Sequence, residues 1–117
     1  MLYAVKSANR ELLANLILKG WDVSVKNQKG ENLMHVGCSS EHSGVKGCLQ
    51  LILDHLSDED SFEYVNALDC EEKTPLHHAS IRGQKEIVLL LLKKGANLAV
   101  HDKYGKTPLH YAVSNER

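Results

Sequence analysis

Aromatic side chains are scarce in this chain: one Trp, one Phe and four Tyr, or 5% of the residues. Burial must therefore come from aliphatic side chains and from Ala, Gly and Cys in thin layers. There are only two prolines, and the three cysteines fall at irregular spacing. An odd, irregular set cannot close a disulfide framework, which fits a reducing compartment where Cys acts as a small core residue. The longest unbroken aliphatic run is Ile87 to Leu92, six residues, against roughly 18 for a membrane span. No membrane contact is expected. Met1-Leu2-Tyr3-Ala4-Val5, followed by Lys6, Arg10 and Glu11, lacks the basic start, apolar stretch and small-residue cleavage site of a secretory signal. A cytoplasmic or nuclear setting, or both, is expected. Fourteen basic residues nearly balance fifteen acidic ones, for a net charge of −1, which argues against a nucleic-acid partner. What remains is a 117-residue chain that is 43% hydrophobic and 25% charged, the composition of one small folded domain.

That domain repeats itself. Thr74-Pro75-Leu76-His77-His78-Ala79 recurs as Thr107-Pro108-Leu109-His110-Tyr111-Ala112, 33 residues later. Lys93-Lys94-Gly95-Ala96-Asn97-Leu98 is echoed by Leu18-Lys19-Gly20-Trp21-Asp22-Val23, and Asp102 to His110 by Asn27 to His35. Four copies are present in whole or part: approximately 1–26 (partial), 27–68 (long, with insertions), 69–101 and 102–117 (partial).

Each copy reads as two helices and a turn. Thr74 and Thr107 are N-caps, whose hydroxyls accept an otherwise orphaned backbone N–H, and Pro75 and Pro108 stand at the first helical position, where a missing donor costs nothing. Leu76 and Ala79 share one face, and Gly83 ends the helix with a left-handed cap. Ile87, Leu90 and Leu91, widened by Val88 and Leu92, form the buried stripe of the next helix, which Gly95 stops. Asp102-Lys103-Tyr104-Gly105 has the Asp and Gly of a tight turn, a finger projecting between helix pairs. Helices this short are unstable alone, so stacking must supply the stability. On these residues the chain resembles the ankyrin-repeat family over essentially its whole length. The resemblance implies one all-α ankyrin-repeat solenoid over residues 1–117, of stacked helix-turn-helix units with projecting β-hairpin fingers. It also implies that His35, His77 and His110 bridge neighbouring finger backbones.

The copies depart from one another. The step from Asn32 to Thr74 is 42 residues, nine more than the period. The excess is assigned to two loops, Ser39 to Gly44 and Ser57 to Phe62. Gly37, inside a short helix capped by Asn32, is expected to cost roughly 1 kcal/mol relative to Ala. Glu72 stands where Gly30 and Gly105 stand elsewhere, so a left-handed backbone there would carry about 1 to 2 kcal/mol of strain, and an altered finger is expected. The chain enters near an inner helix, with Leu2 in the place of the motif His, and stops before the last copy has an outer helix. It is therefore read as a segment of a longer array or multidomain protein, with residues 107 to 117 frayed.

Catalytic chemistry finds little support. No Gly-rich phosphate loop, nucleophile elbow or carboxylate pair on rigid elements is present. Cys38, His42 and Cys48 supply only three ligand-type residues in no common zinc pattern, and Cys38 and Cys48 occupy apolar helix positions. No enzyme activity, cofactor or metal is expected. The resemblance implies protein recognition through finger tips and the concave face of the inner helices. The candidate contacts are Gln28, Lys29 and Glu31; Cys70, Glu71 and Lys73; and Lys103, Tyr104 and Lys106 on the fingers. Ser39, Ser40, Ile81, Arg82, Ser114 and Asn115 lie on the helices. Residues 54 to 72 hold eight acidic residues and no Lys or Arg. Asp58, Glu59 and Asp60 are a candidate handle for a basic partner segment. A long repeat with an acidic insertion before a regular Thr-Pro-Leu-His repeat is similar to the arrangement in the inhibitor-of-NF-κB family, which implies a basic transcription-factor segment as one possible partner class.

Overall fold

In a computed structural model, residues 5, 9–20, 23, 25–39 and 44–115 are described, with side chains through 113. Among the described residues seven helices follow one another: α1 Arg10–Leu18, α2 Leu33–Cys38, α3 Val45–His55, α4 Asp58–Val65, α5 Pro75–Arg82, α6 Lys85–Lys93 and α7 Pro108–Asn115. The inner helices α2, α5 and α7 pack one on the next, and the outer helices α1, α3 and α6 form a second layer behind them. One continuous aliphatic core runs between the layers, including Leu13, Leu33, Leu49, Ile52, Leu53, Leu76, Ile87 and Leu91.

The caps are those the sequence specifies. The Thr74 hydroxyl accepts the His77 N–H while the His77 ring accepts the Thr74 N–H, a reciprocal capping box, and Asn32 and His35 repeat it. Gly83 closes α5 at φ 67°. The fingers are hairpin turns too short to build a ladder: among the described residues no strand forms, and each finger is closed across its base by one backbone bond, such as Asp102 N–H to the Lys106 carbonyl at 2.9 Å.

Two expectations are corrected. Ser57 to Phe62 is not a loop. The Ser57 hydroxyl accepts the Asp60 N–H and starts α4, whose first turn holds Asp58, Glu59 and Asp60. Carboxylates there face the positive end of the helix dipole and favour the helix. Ser61 and Val65 are its buried face, and the Tyr64 hydroxyl donates to the Val23 carbonyl at 2.6 Å. Nor is the Glu72 finger altered: Glu72 adopts φ 62°, beside 72° at Gly30 and 75° at Gly105, so the strain is accepted and the turn kept. The last inner helix, α7, is formed through Asn115 and packs on α5, while Leu109 and Val113 stay exposed on it, the uncovered face on which the expectation of fraying rests. Residues 116 and 117 lie outside the described residues, as do Leu2, Ser40 and His42, with most of the first insertion.

Gly37 also differs from its expected role. A Cβ there would meet Leu49 Cδ2 at 2.4 Å, Leu49 Cγ at 3.1 Å and Val5 Cγ1 at 3.2 Å. Leu49 and Val5 are both fully buried, so neither can swing away. The glycine lets α2 lie against α3, and Gly37→Ala should therefore destabilise. The expected cost is about 1 to 3 kcal/mol of overpacking, where helix propensity alone predicts a gain. Urea unfolding of the variant checks the sign.

Candidate recognition surface

The three fingers share one construction. The first residue of each, Asn27, Asp69 or Asp102, accepts with its side-chain oxygen the N–H groups two and four residues on: Lys29 and Glu31, Glu71 and Lys73, Tyr104 and Lys106, all at 2.9–3.0 Å. Successive fingers are joined edge to edge. Cys70 N–H donates to the Lys29 carbonyl at 2.9 Å and Lys103 N–H to the Glu71 carbonyl at 3.0 Å. These bonds over-determine the turn at Glu72, which is how a non-glycine persists at positive φ. Burial alone would raise the Asp69 and Asp102 carboxyls. The hydrogen bonds they accept outweigh burial and hold both below the ordinary range.

The motif histidines fasten the fingers from beneath. In each, Nδ1 accepts the cap N–H: Asn32 to His35 at 3.1 Å, Thr74 to His77 at 3.0 Å, Thr107 to His110 at 2.9 Å. The proton is thereby assigned to Nε2, which donates across to the next finger, from His35 to the Lys73 carbonyl at 2.9 Å and from His77 to the Lys106 carbonyl at 3.0 Å. The bridging role is present for both. Burial pushes the His35 pKa down to about 4 and lowers His77 in the same sense.

The candidate contacts divide by exposure. Gln28, Lys29, Cys70, Arg82, Lys103, Tyr104 and Lys106 are exposed; Glu31, Ser39, Glu71 and Ile81 are partly so. Lys73 is 7% exposed and is an internal tie, not a surface contact. Its Nζ lies 3.4 Å from Glu71 and 3.7 Å from Asp102, and 4.9 Å from the Tyr104 ring centroid. Ser114 and Asn115 belong to α7, and their side chains are outside the described set. Asp58, Glu59 and Asp60 are exposed on α4. Cys38 and Cys48 are buried, and burial pushes both thiols up, away from reactivity.

Tyr104 is the most developed feature of this surface. It is 58% exposed, yet its hydroxyl donates to Glu71 on the neighbouring finger at 2.9 Å. The ammonium groups of Lys73 and Lys103 lie 4.9 and 5.2 Å from its ring centroid, within cation–π range. The sequence signals the residue but not the scaffold that holds it.

This stack of capped helix pairs and edge-joined fingers agrees with the comparison to known families, in which "Ankyrin repeats (3 copies)" matches residues 1–102 and again 48–117. The chain belongs to the ankyrin-repeat family. Among similar proteins are the chicken nuclear factor NF-kappa-B p105 subunit, 31% identical over 96% of this chain and 11% of its own length, and the mouse B-cell lymphoma 3 protein homolog, 34% identical over 96% and 24%. The human transient receptor potential cation channel subfamily A member 1 is 32% identical over 94% and 9%. The chain thus spans at most about a quarter of the length of these relatives. Ankyrin repeats are generally protein–protein interaction modules, and the family is typically non-enzymatic. No helix among the described residues is long and apolar enough to cross a membrane.

Proposed function

We propose that this ankyrin stack is the partner-binding segment of a larger scaffold, adaptor or regulated enzyme, working in the cytoplasm or nucleus, with its contact surface on the second and third fingers and the adjoining face of α5. The observation that carries the reading is Tyr104: an exposed aromatic ring already immobilised by Glu71, Lys73 and Lys103. An anchor ordered before binding loses little conformational entropy on contact, and Tyr and Arg dominate interface hot spots; Ile81 and Arg82 extend the same surface. A photo-crosslinking residue at position 104 of the parent protein should capture a partner that one at Leu89, on the outer layer, does not. With that partner in hand, Tyr104→Ala should weaken affinity about tenfold or more with the helical spectrum unchanged. Equal affinity removes Tyr104 from the interface.

A second reading is supported by the acidic exposed start of α4 and by the likeness to the NF-kappa-B p105 subunit. In it, Asp58, Glu59 and Asp60 receive a basic segment of a transcription factor. Affinity for a Rel-type domain should then fall steeply with salt and on joint neutralisation of the three carboxylates. No measurable affinity at low salt sinks this reading.

A further inference from the structure

The two junctions between fingers use the same three positions with different chemistry. Where the second finger meets the third, Asp102 Oδ2 receives the Tyr111 hydroxyl and lies 3.7 Å from the Lys73 ammonium. A buried carboxylate there faces a cation supplied by the chain. Where the first finger meets the second, Asp69 replaces Asp102, His78 replaces Tyr111, and Glu31 stands in the place of Lys73. Asp69 Oδ2 is 2.9 Å and Glu31 Oε2 3.8 Å from His78 Nε2, and each of the three residues offers a ligand atom within 4.8 Å of the other two. The Asp69, His78 and Glu31 side chains are only 3%, 14% and 17% exposed. Asp69 Oδ1 accepts the Glu71 and Lys73 N–H groups and Glu31 Oε1 the Asn27 amide, but among the described residues the remaining oxygens face only His78 Nε2, at hydrogen-bond distance from Asp69. With no lysine here, two negative charges at low exposure are left for a cation to balance.

We propose that Glu31, Asp69 and His78 form a divalent-cation site, suited to zinc, that clasps the first finger to the second. Zinc takes His nitrogen and carboxylate oxygen at roughly 2.0–2.2 Å in tetrahedral array, which sets its ligands roughly 3.3–3.6 Å apart; the distances of 2.9 and 3.8 Å to His78 lie on either side of that value. The ring is oriented for the task. His78 Nδ1 lies 3.1 Å from Ser39 Oγ, and the Ser39 hydroxyl donates to the His35 carbonyl at 3.0 Å. With that proton committed, Ser39 accepts from Nδ1–H and the Nε2 lone pair points at the carboxylates, the usual outer-sphere arrangement of a metal-binding histidine. Glu31 is positioned in turn by Asn27, whose amide donates to its Oε1 at 2.9 Å. The second carboxylate oxygen is left for the metal. Three protein ligands leave a fourth place for water or for a side chain of a partner bound along the fingers. The rival cation is a proton on Nε2, which would hold the same junction as an ion pair.

Calorimetric titration of the chain with zinc chloride at neutral pH distinguishes the two. Cys70→Ser is the background, because this exposed thiol adjoins Asp69. The expected result is one zinc per chain and a raised unfolding midpoint. His78→Gln and Glu31→Gln should each abolish both effects, and Ser39→Ala should weaken binding about tenfold. Glu31→Gln can still accept from Asn27, so it keeps the test valid if His78→Gln fails to fold. Absence of zinc binding up to millimolar concentration, or binding undiminished in both ligand variants, overturns the proposal and leaves a proton-held ion pair.

Discussion

Leu91→Ala should remove about 2 to 5 kcal/mol of stability, and its neighbour two residues earlier on the same helix, Leu89→Ala, almost none. Leu91 is fully buried in the continuous core, whereas Leu89 is 66% exposed on the outer layer. Truncating Leu91 loses the transfer energy of its methyl groups and leaves a cavity that flanking helices cannot close, since each is fixed by packing on both sides. A small domain is stable by only about 5 to 15 kcal/mol, so this single change places the array near unfolding at body temperature. Each unit depends on its neighbours, and the loss should appear as a shift of one cooperative transition. Urea unfolding followed by helical circular dichroism checks it. Leu91→Met, which conserves volume, should recover most of the loss. A Leu91→Ala protein as stable as the parent would mean that the two-layer packing is wrong.

Much of this fold is legible in the sequence because its signals are local. The Thr-Pro caps and Gly83 act within a few residues and the 33-residue period repeats the pattern, so spacing alone places α5, α6 and the last finger. The features that escape are those decided by distance across the stack. The acidic run from Asp58 reads as a solvated loop by composition. Yet a capping Ser57 before three carboxylates is also a helix start, and its buried face, Ser61 and Val65, is too polar to register as an apolar stripe. Gly37 reads as a weak helix residue until Leu49 is found 2.4 Å from where its Cβ would be. Lys73 reads as a finger-tip charge until Asp102 and Tyr104 enclose it. Likewise Glu31 and His78, 47 residues apart in sequence, become neighbours only when two fingers are stacked.

Acidification should destabilise the protein before its carboxylates titrate, and His35 should be a principal cause. Its ring is fully buried, with Nδ1 accepting from Asn32 and Nε2 donating to the Lys73 carbonyl. Burial lowers its pKa from 6.5 to about 4. The folded state therefore takes up its proton later than the unfolded chain does. Below pH 6.5 the unfolded state binds more protons and is favoured. The full His35 contribution is present above that pH, is lost progressively towards pH 4, and does not fall further below it. A shift of this size corresponds to about 3 kcal/mol at the acid end, of which about 2 kcal/mol is gone by pH 5. His77 is shifted in the same direction and adds to the loss. The depressed carboxyls of Asp69 and Asp102 act lower on the scale, since their contribution is present above their unfolded value of 3.8 and disappears only as pH falls through their folded values. The interval from pH 6.5 to 5 therefore isolates the histidines. Urea midpoints across it, measured in the presence of a chelator, should fall for the parent chain and fall less steeply for His35→Gln, whatever stability that variant has at pH 7. Parallel slopes would mean that His35 does not stay neutral in the fold, and the bridge from its ring to the second finger would then have to be held by an imidazolium.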